Sequence, residues 1–214
     1  MDFGKPFVYM FEDKEWPKKL LVFSLISLIP ILGQIVLAGW TVEIIRNLVK
    51  NNDETLPDLK FENQLVDGFK YLAINFIYML PIFLLTFFPG IMIFIITIII
   101  GSEDAIAIGI SIFFFLFGIF FILALPFGFI FPAIATNFAV AGKFAAGFEI
   151  KKIFGMIKNH ILSYLVVLLG VYCASYISQL GINLLFIGVI PASVYAQTII
   201  AHFYGQVYKI SASE

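Results

Sequence analysis

Four stretches of the chain contain no Asp, Glu, Lys or Arg: residues 20–42, 71–102, 105–142 and 161–208. No other feature limits the fold so strongly. A soluble protein of 214 residues has too little interior to hide that much apolar surface. Its hydrophobic share is 61%, against about 45–50% in soluble domains. Charged residues make up 13%, about half the ordinary share. These values exclude a soluble globule, a disordered chain and a disulfide-stapled secreted domain. They predict an integral membrane protein. Because the runs are continuous rather than alternating, barrel strands are excluded. Helices remain as the way to satisfy backbone hydrogen bonds in lipid.

A crossing helix needs about 20 apolar residues, so the runs hold enough chain for about seven. Basic residues set the parity, since Lys and Arg favour the cytoplasmic side. They fall in four regions: Lys5, Lys14, Lys18 and Lys19; Arg46, Lys50, Lys60 and Lys70; Lys143, Lys151, Lys152 and Lys158; and Lys209. The polar break Ser102-Glu103-Asp104 carries no base. The expected fold is all-α: one polytopic helical membrane bundle over 1–214, with about six transmembrane helices in three hairpins. The hairpins lie at about 16–50, 69–142 and 160–209, joined by amphipathic cytoplasmic segments at 51–68 and 143–159. The chain is then a multi-pass protein of the cell membrane, with both termini cytoplasmic and Glu103-Asp104 outside.

The first hairpin is the short one. A helix of about 15 residues rises about 22 Å, so this segment enters obliquely, thins the bilayer or is half re-entrant. Charged residues from Glu12 to Lys19 precede its apolar run, with no small-residue cleavage pattern, so no cleavable leader is expected. Pro30, Pro132 and Pro191 recur near the second helix of each hairpin, where a first-turn proline costs no hydrogen bond. Pro126 is an equally good start in the middle hairpin. Pro81, Pro89 and Pro126 are expected to kink long helices. Each of the recurring prolines is followed by small or apolar residues and an amide (Gln34, Asn137, Gln197), the mark of a weak internal repeat.

From Phe61 the apolar residues Phe61, Leu65, Phe69 and Leu72 fall near helical period. Asp67, before the inserting part, is expected to cap it. In 143–159, Lys151, Lys152 and Lys158 lie off a broad apolar side and are candidate lipid-headgroup contacts. The alternative is a linker helix packed on the inner face of the bundle.

Polar residues within the apolar runs are the remaining candidates. Glu43 and Arg46, three apart near the inner end of their helix, form a candidate inner-face pair. Ser175, Ser178, Gln179, Asn183, Gln197 and His202 form a candidate polar seam in the third hairpin. Such groups either hydrogen-bond across helices as structural glue or line a solute path. His160 and His202 are the only histidines and Cys173 the only cysteine, so neither a zinc set nor a disulfide is expected. Phosphate-loop, nucleophile-elbow and dinucleotide motifs are absent. No catalytic residues, cofactor or metal are therefore expected. The net charge of −1 without a basic stripe argues against nucleic acid.

One family resemblance rests on a scatter of residues. They are Trp16 before Lys18-Lys19-Leu20-Leu21, Ile29-Pro30 with Gly33, Gly39 before Trp40, Arg46, Leu56-Pro57, Asp67-Gly68, and Tyr78 with Pro81. The ending Gly205-Gln206-Val207-Tyr208 joins them. In these positions the chain resembles the prokaryotic membrane family called domain of unknown function 4013, which tends to have tyrosine at the Trp40 position. The resemblance implies a bacterial or archaeal multi-pass protein and carries no activity. The expected role is a non-enzymatic scaffold or accessory protein that binds membrane lipids, another membrane protein or a second copy of itself. The alternative is a small-solute transporter or channel using the polar seam.

Overall fold

A computed structural model describes residues 1–51, 55–183 and 188–212. All regular elements among the described residues are helical. In chain order they are α1 (Lys5–Glu12), α2 (Trp16–Ser27), α3 (Leu32–Arg46), α4 (Phe61–Ile82), α5 (Phe88–Ile100), α6 (Glu103–Ala124), α7 (Phe127–Ala141), α8 (Ile150–Asn159), α9 (Ile161–Leu180) and α10 (Val189–Ser211). The chain forms two compact units, residues 1–74 with 129–214, and residues 75–128.

In the first unit α10 is the central helix, packed against α1, α2, α3 and α9. Val194, Ile199, Phe203 and Val207 bury their side chains there. Surrounded by protein, α10 also accommodates buried Thr198 and His202. The outer side of α9 is different. Leu162, Leu165, Leu169, Tyr172 and Tyr176 recur every three or four residues and are all exposed. An apolar stripe of this kind suits lipid rather than water.

Among the described residues four helical stretches are long and apolar enough to cross a membrane: Leu32–Lys50, Phe61–Ile100, Glu103–Ala124 and Ile161–Leu180. The helix α7 is apolar but shorter. With 12 residues, α2 rises only about 18 Å, short of the hydrocarbon core of about 30 Å.

The tip between α2 and α3 is a γ-turn. The Leu32 N–H donates to the Pro30 carbonyl at 2.7 Å, and Ile31 takes φ 66°. A β-branched residue is strained in that region. Gly33 is required beside it, because a Cβ there would strike the Ile26 carbonyl. The Ile31 side chain is exposed, so Ile31→Gly relieves strain with little loss of packing. We expect that variant to be more stable by up to about 1 kcal/mol. A thermal midpoint at or below the parent value would show that the turn is unstrained.

In the second unit α5 and α6 form a hairpin. Gly101 closes α5 at φ 74°. Ser102 then caps α6, its Oγ accepting from the Ala105 N–H at 3.2 Å. Glu103 and Asp104 occupy the first turn, where the helix dipole favours anions. The Phe-rich run divides by face. Phe113, Phe117 and Phe120 meet the Phe87 ring at 5.9, 6.1 and 6.2 Å, while Phe114, Phe115 and Phe121 are exposed. Thr97 fits against Gly109, where a Cβ would collide with it.

The prolines act unequally. Pro81 lies inside α4, and a π-turn at Phe83–Phe87 follows before Pro89 in the first turn of α5. The chain stays helical through both, and the Thr86 hydroxyl donates back to the Ile82 carbonyl at 2.7 Å. Pro126 does end a helix, since α6 stops at Ala124 and α7 starts at Phe127. Pro132 lies inside α7, and Pro191 falls in the first turn of α10.

Candidate functional site

Two glycines build the site. A Cβ on Gly39 of α3 would strike the Gln64 carbonyl, and one on Gly68 of α4 would strike the Ile35 carbonyl. The two helices therefore run antiparallel with their backbones touching. That contact carries the polar ends of both helices into one cluster. Glu43 Oε1 lies 2.8 Å from Lys60 Nζ, and Glu43 Oε2 accepts from Gln64 Nε2 at 2.9 Å. Arg46 Nη2 lies 2.9 Å from Asp67 Oδ2, and Arg46 Nε donates to the Ala139 carbonyl at 2.9 Å. Hydrogen bonding to Glu43 holds the Lys60 ammonium above its ordinary pKa. Glu43 and Arg46 thus each take their main partner from across the contact. Asp67, expected as a cap, lies well inside α4 because that helix already starts at Phe61.

A cavity of about 550 Å³ opens in this cluster, with Glu43, Arg46, Lys60, Asn63, Asp67 and Lys70 among its walls. The volume lies in the range of ligand pockets. Gln64 at its wall is buried, with a second amide hydrogen bond to the Asp58 carbonyl at 2.9 Å.

A rigid connector sets the position of Lys60. Trp40 stacks on Phe23 at 4.0 Å and its Nε1–H donates to the Pro57 carbonyl at 3.0 Å. Just before it, Asp13 and Lys19 form a buried pair at 2.9 Å, with side chains 7% and 11% exposed. Lys19 also reaches Asp58 at 3.3 Å and the Leu56 carbonyl at 2.5 Å. Asp13 accepts from the backbone N–H groups of Glu15 and Leu56 at 2.7 and 2.9 Å. Asp13 and Lys19 of the leading segment are therefore structural.

The seam candidates do not converge. Ser175 and Gln179 sit on the exposed side of α9. Ser178 donates to Ser193 Oγ at 3.2 Å. Gln197 Oε1 accepts from Thr41 at 3.3 Å. His202 is buried against Tyr9, ring centres 4.7 Å apart. Its Nδ1 lies 3.1 Å from Gln206 Nε2. The Asp2 backbone orients that amide, donating to Gln206 Oε1 at 2.9 Å and accepting from Nε2 at 3.0 Å. An amide nitrogen only donates, so His202 Nδ1 acts as acceptor. The Asn183 side chain lies outside the described residues.

On α8 the residues Ile153, Met156 and Ile157 are buried, while Ile150, Phe154, Lys151, Lys152 and Lys158 are exposed. Lys152 lies 3.8 Å from Glu149. Asn137 steadies the preceding turn, its amide donating to the Ala146 carbonyl at 2.7 Å and to Glu149 at 3.1 Å. Among the described residues no group of His, Cys, Asp or Glu is placed to hold a metal.

The model of one protein family, described as Protein of unknown function (DUF4013), matches residues 22–187. The chain belongs to that family. No curated protein and no solved structure matches it. The DUF4013 match includes the Gly39–Gly68 contact and the whole cavity cluster. Asp13, Lys19 and His202 fall outside it. Sequence reading singled out Glu43 and Arg46 but missed Lys60, Gln64 and Lys70 as their neighbours. The signal available was a pair of glycines, Gly39 near the end of the apolar run 20–42 and Gly68 between Asp67 and Lys70 just before the run 71–102.

Proposed function

We propose that the chain is a non-enzymatic, multi-pass protein of the cell membrane that binds anionic lipid through α8. The observation carrying this reading is the outer surface of that helix. It presents three lysines and no carboxylate within Ile150–Asn159, beside exposed Ile150 and Phe154. Buried Ile153, Met156 and Ile157 fix it to the first unit. Apolar side chains entering the acyl boundary and lysines reaching phosphates are how interfacial helices hold a bilayer. In the orientation we favour, α8 and both termini are cytoplasmic and the Glu103-Asp104 turn is outside. Six crossings fit the basic residues, with the short first hairpin entering obliquely. The outward position of Ser175 and Gln179 favours lipid binding over a solute path through the third hairpin.

The test is lipid retention. Lysines near an anionic surface contribute about 1 kcal/mol each. Joint Lys151→Glu and Lys152→Glu replacement should weaken retention of phosphatidylglycerol by at least about thirtyfold, with phosphatidylcholine unaffected. Retention equal to the parent would overturn the reading. Orientation is checked with a cysteine at position 152 in a Cys173→Ser background. Labelling from the cytoplasmic side is expected, and labelling only from outside would overturn the topology.

A further inference from the structure

We infer that the cavity between α3 and α4 is a seat for the phosphate of an anionic phospholipid. This deepens the lipid-binding reading above and rests on it, but it uses different residues.

The charges of the cavity show what it can take. Its walls carry three cations, Arg46, Lys60 and Lys70, and two carboxylates, Glu43 and Asp67. Both carboxylates are engaged internally, Glu43 by Lys60 and Gln64 and Asp67 by Arg46. One positive charge is left over. Lys70 has no ion-pair partner among the described residues, although it is only partly exposed. Arg46 has five N–H donors, of which Nε is held by Ala139 and Nη2 by Asp67. Asn63 adds an exposed amide. The site thus has surplus donors and a surplus charge, the needs of a phosphate oxygen cluster.

Its place selects the lipid form of that phosphate. The cavity lies at the adjoining ends of two stretches long and apolar enough to cross a membrane, Leu32–Lys50 and Phe61–Ile100. Exposed Phe69 and Leu72 stand beside Lys70 on α4, where acyl chains would leave the headgroup. Basic pockets between helices at this depth are where anionic headgroups bind.

The experiment is native mass spectrometry of the full chain in neutral detergent, titrated with short-chain phosphatidic acid. Phosphatidylcholine of the same chain length and inorganic phosphate are the comparison ligands. Phosphatidic acid should bind, and K70Q should weaken it about fivefold. K70R should restore binding, and N63D, which adds a carboxylate at the cavity wall, should also weaken it. Unchanged binding in both K70Q and N63D would overturn the seat. Inorganic phosphate binding as tightly as phosphatidic acid would overturn the lipid assignment. If the K151E/K152E variant loses all binding while K70Q loses none, the α8 reading stands and the seat falls. Absence of any lipid adduct on the parent chain would overturn both.

Discussion

Replacing Lys19 by alanine is expected to cost about 3–5 kcal/mol, the penalty for leaving one member of a buried ion pair alone. Asp13 would then face Leu56 and Glu15 N–H groups but no cation, while 7% exposed. Asp13→Ala should cost less, because Lys19 keeps Asp58 and the Leu56 carbonyl, and the double variant Asp13→Ala/Lys19→Ala should cost less than the sum of the two. Unfolding by denaturant in detergent reads all three. Single variants within 1 kcal/mol of the parent would show that the pair is solvated. A pH series adds a second check. Burial pushes the Asp13 carboxyl up, but the Lys19 hydrogen bond and two backbone N–H groups outweigh it, so its pKa lies below the ordinary value. Burial pushes Lys19 down, but Asp13 and Asp58 outweigh it, so its pKa lies above the ordinary value. Stability from Asp13 is therefore complete above an unfolded value of about 3.9 and lost as pH falls through the folded one. Stability from Lys19 is complete below about 10.4 and lost as pH rises through its folded value. A plateau between those limits is expected, and the double variant should flatten both edges.

The second large effect concerns the touching backbones of α3 and α4. Gly39→Ala and Gly68→Ala each place a methyl group on a carbonyl of the facing helix. Backbone cannot rotate aside, so the helices must part, at about 3 kcal/mol for each variant. The same displacement pulls Lys60 and Gln64 from Glu43, so the phosphatidic acid binding proposed above should fall with stability. Gly118→Ala and Gly155→Ala are the controls. Nothing lies within 4 Å of a Cβ at either position, and both sit inside helices. Those changes should be neutral or stabilising by about 0.5–1 kcal/mol. Equal losses at all four glycines would point to a general intolerance of detergent rather than to the contact.

Local chemistry explains what could be read from the chain beforehand. The start of α4 at Phe61 follows from an apolar period that begins there. The turn at Gly101-Ser102 combines a left-handed closing residue with a capping hydroxyl, both nearest-neighbour effects. Pro126 ends α6 for the same kind of reason. What escaped is what depends on distant partners. Glu43 and Arg46 are three apart, yet each is drawn across to α4 because two glycines let the helices meet. The seam residues share sequence spacing but not neighbours, since Ser178 meets Ser193 while Gln197 meets Thr41. Residues 5–12, read as part of a charged tail, form α1 because α10 offers a surface for Tyr9 and Met10.

That last contact has a bearing on how the molecule is made. Tyr9 lies against His202, the Phe7 carbonyl accepts from the Tyr195 hydroxyl at 2.6 Å, and Asp2 is clasped by Gln206. During synthesis α1 therefore waits for α10, its most extensive partner, although α2 also touches it. A ribosome halted before residue 189 would leave α1 more open to protease than one that has passed residue 211.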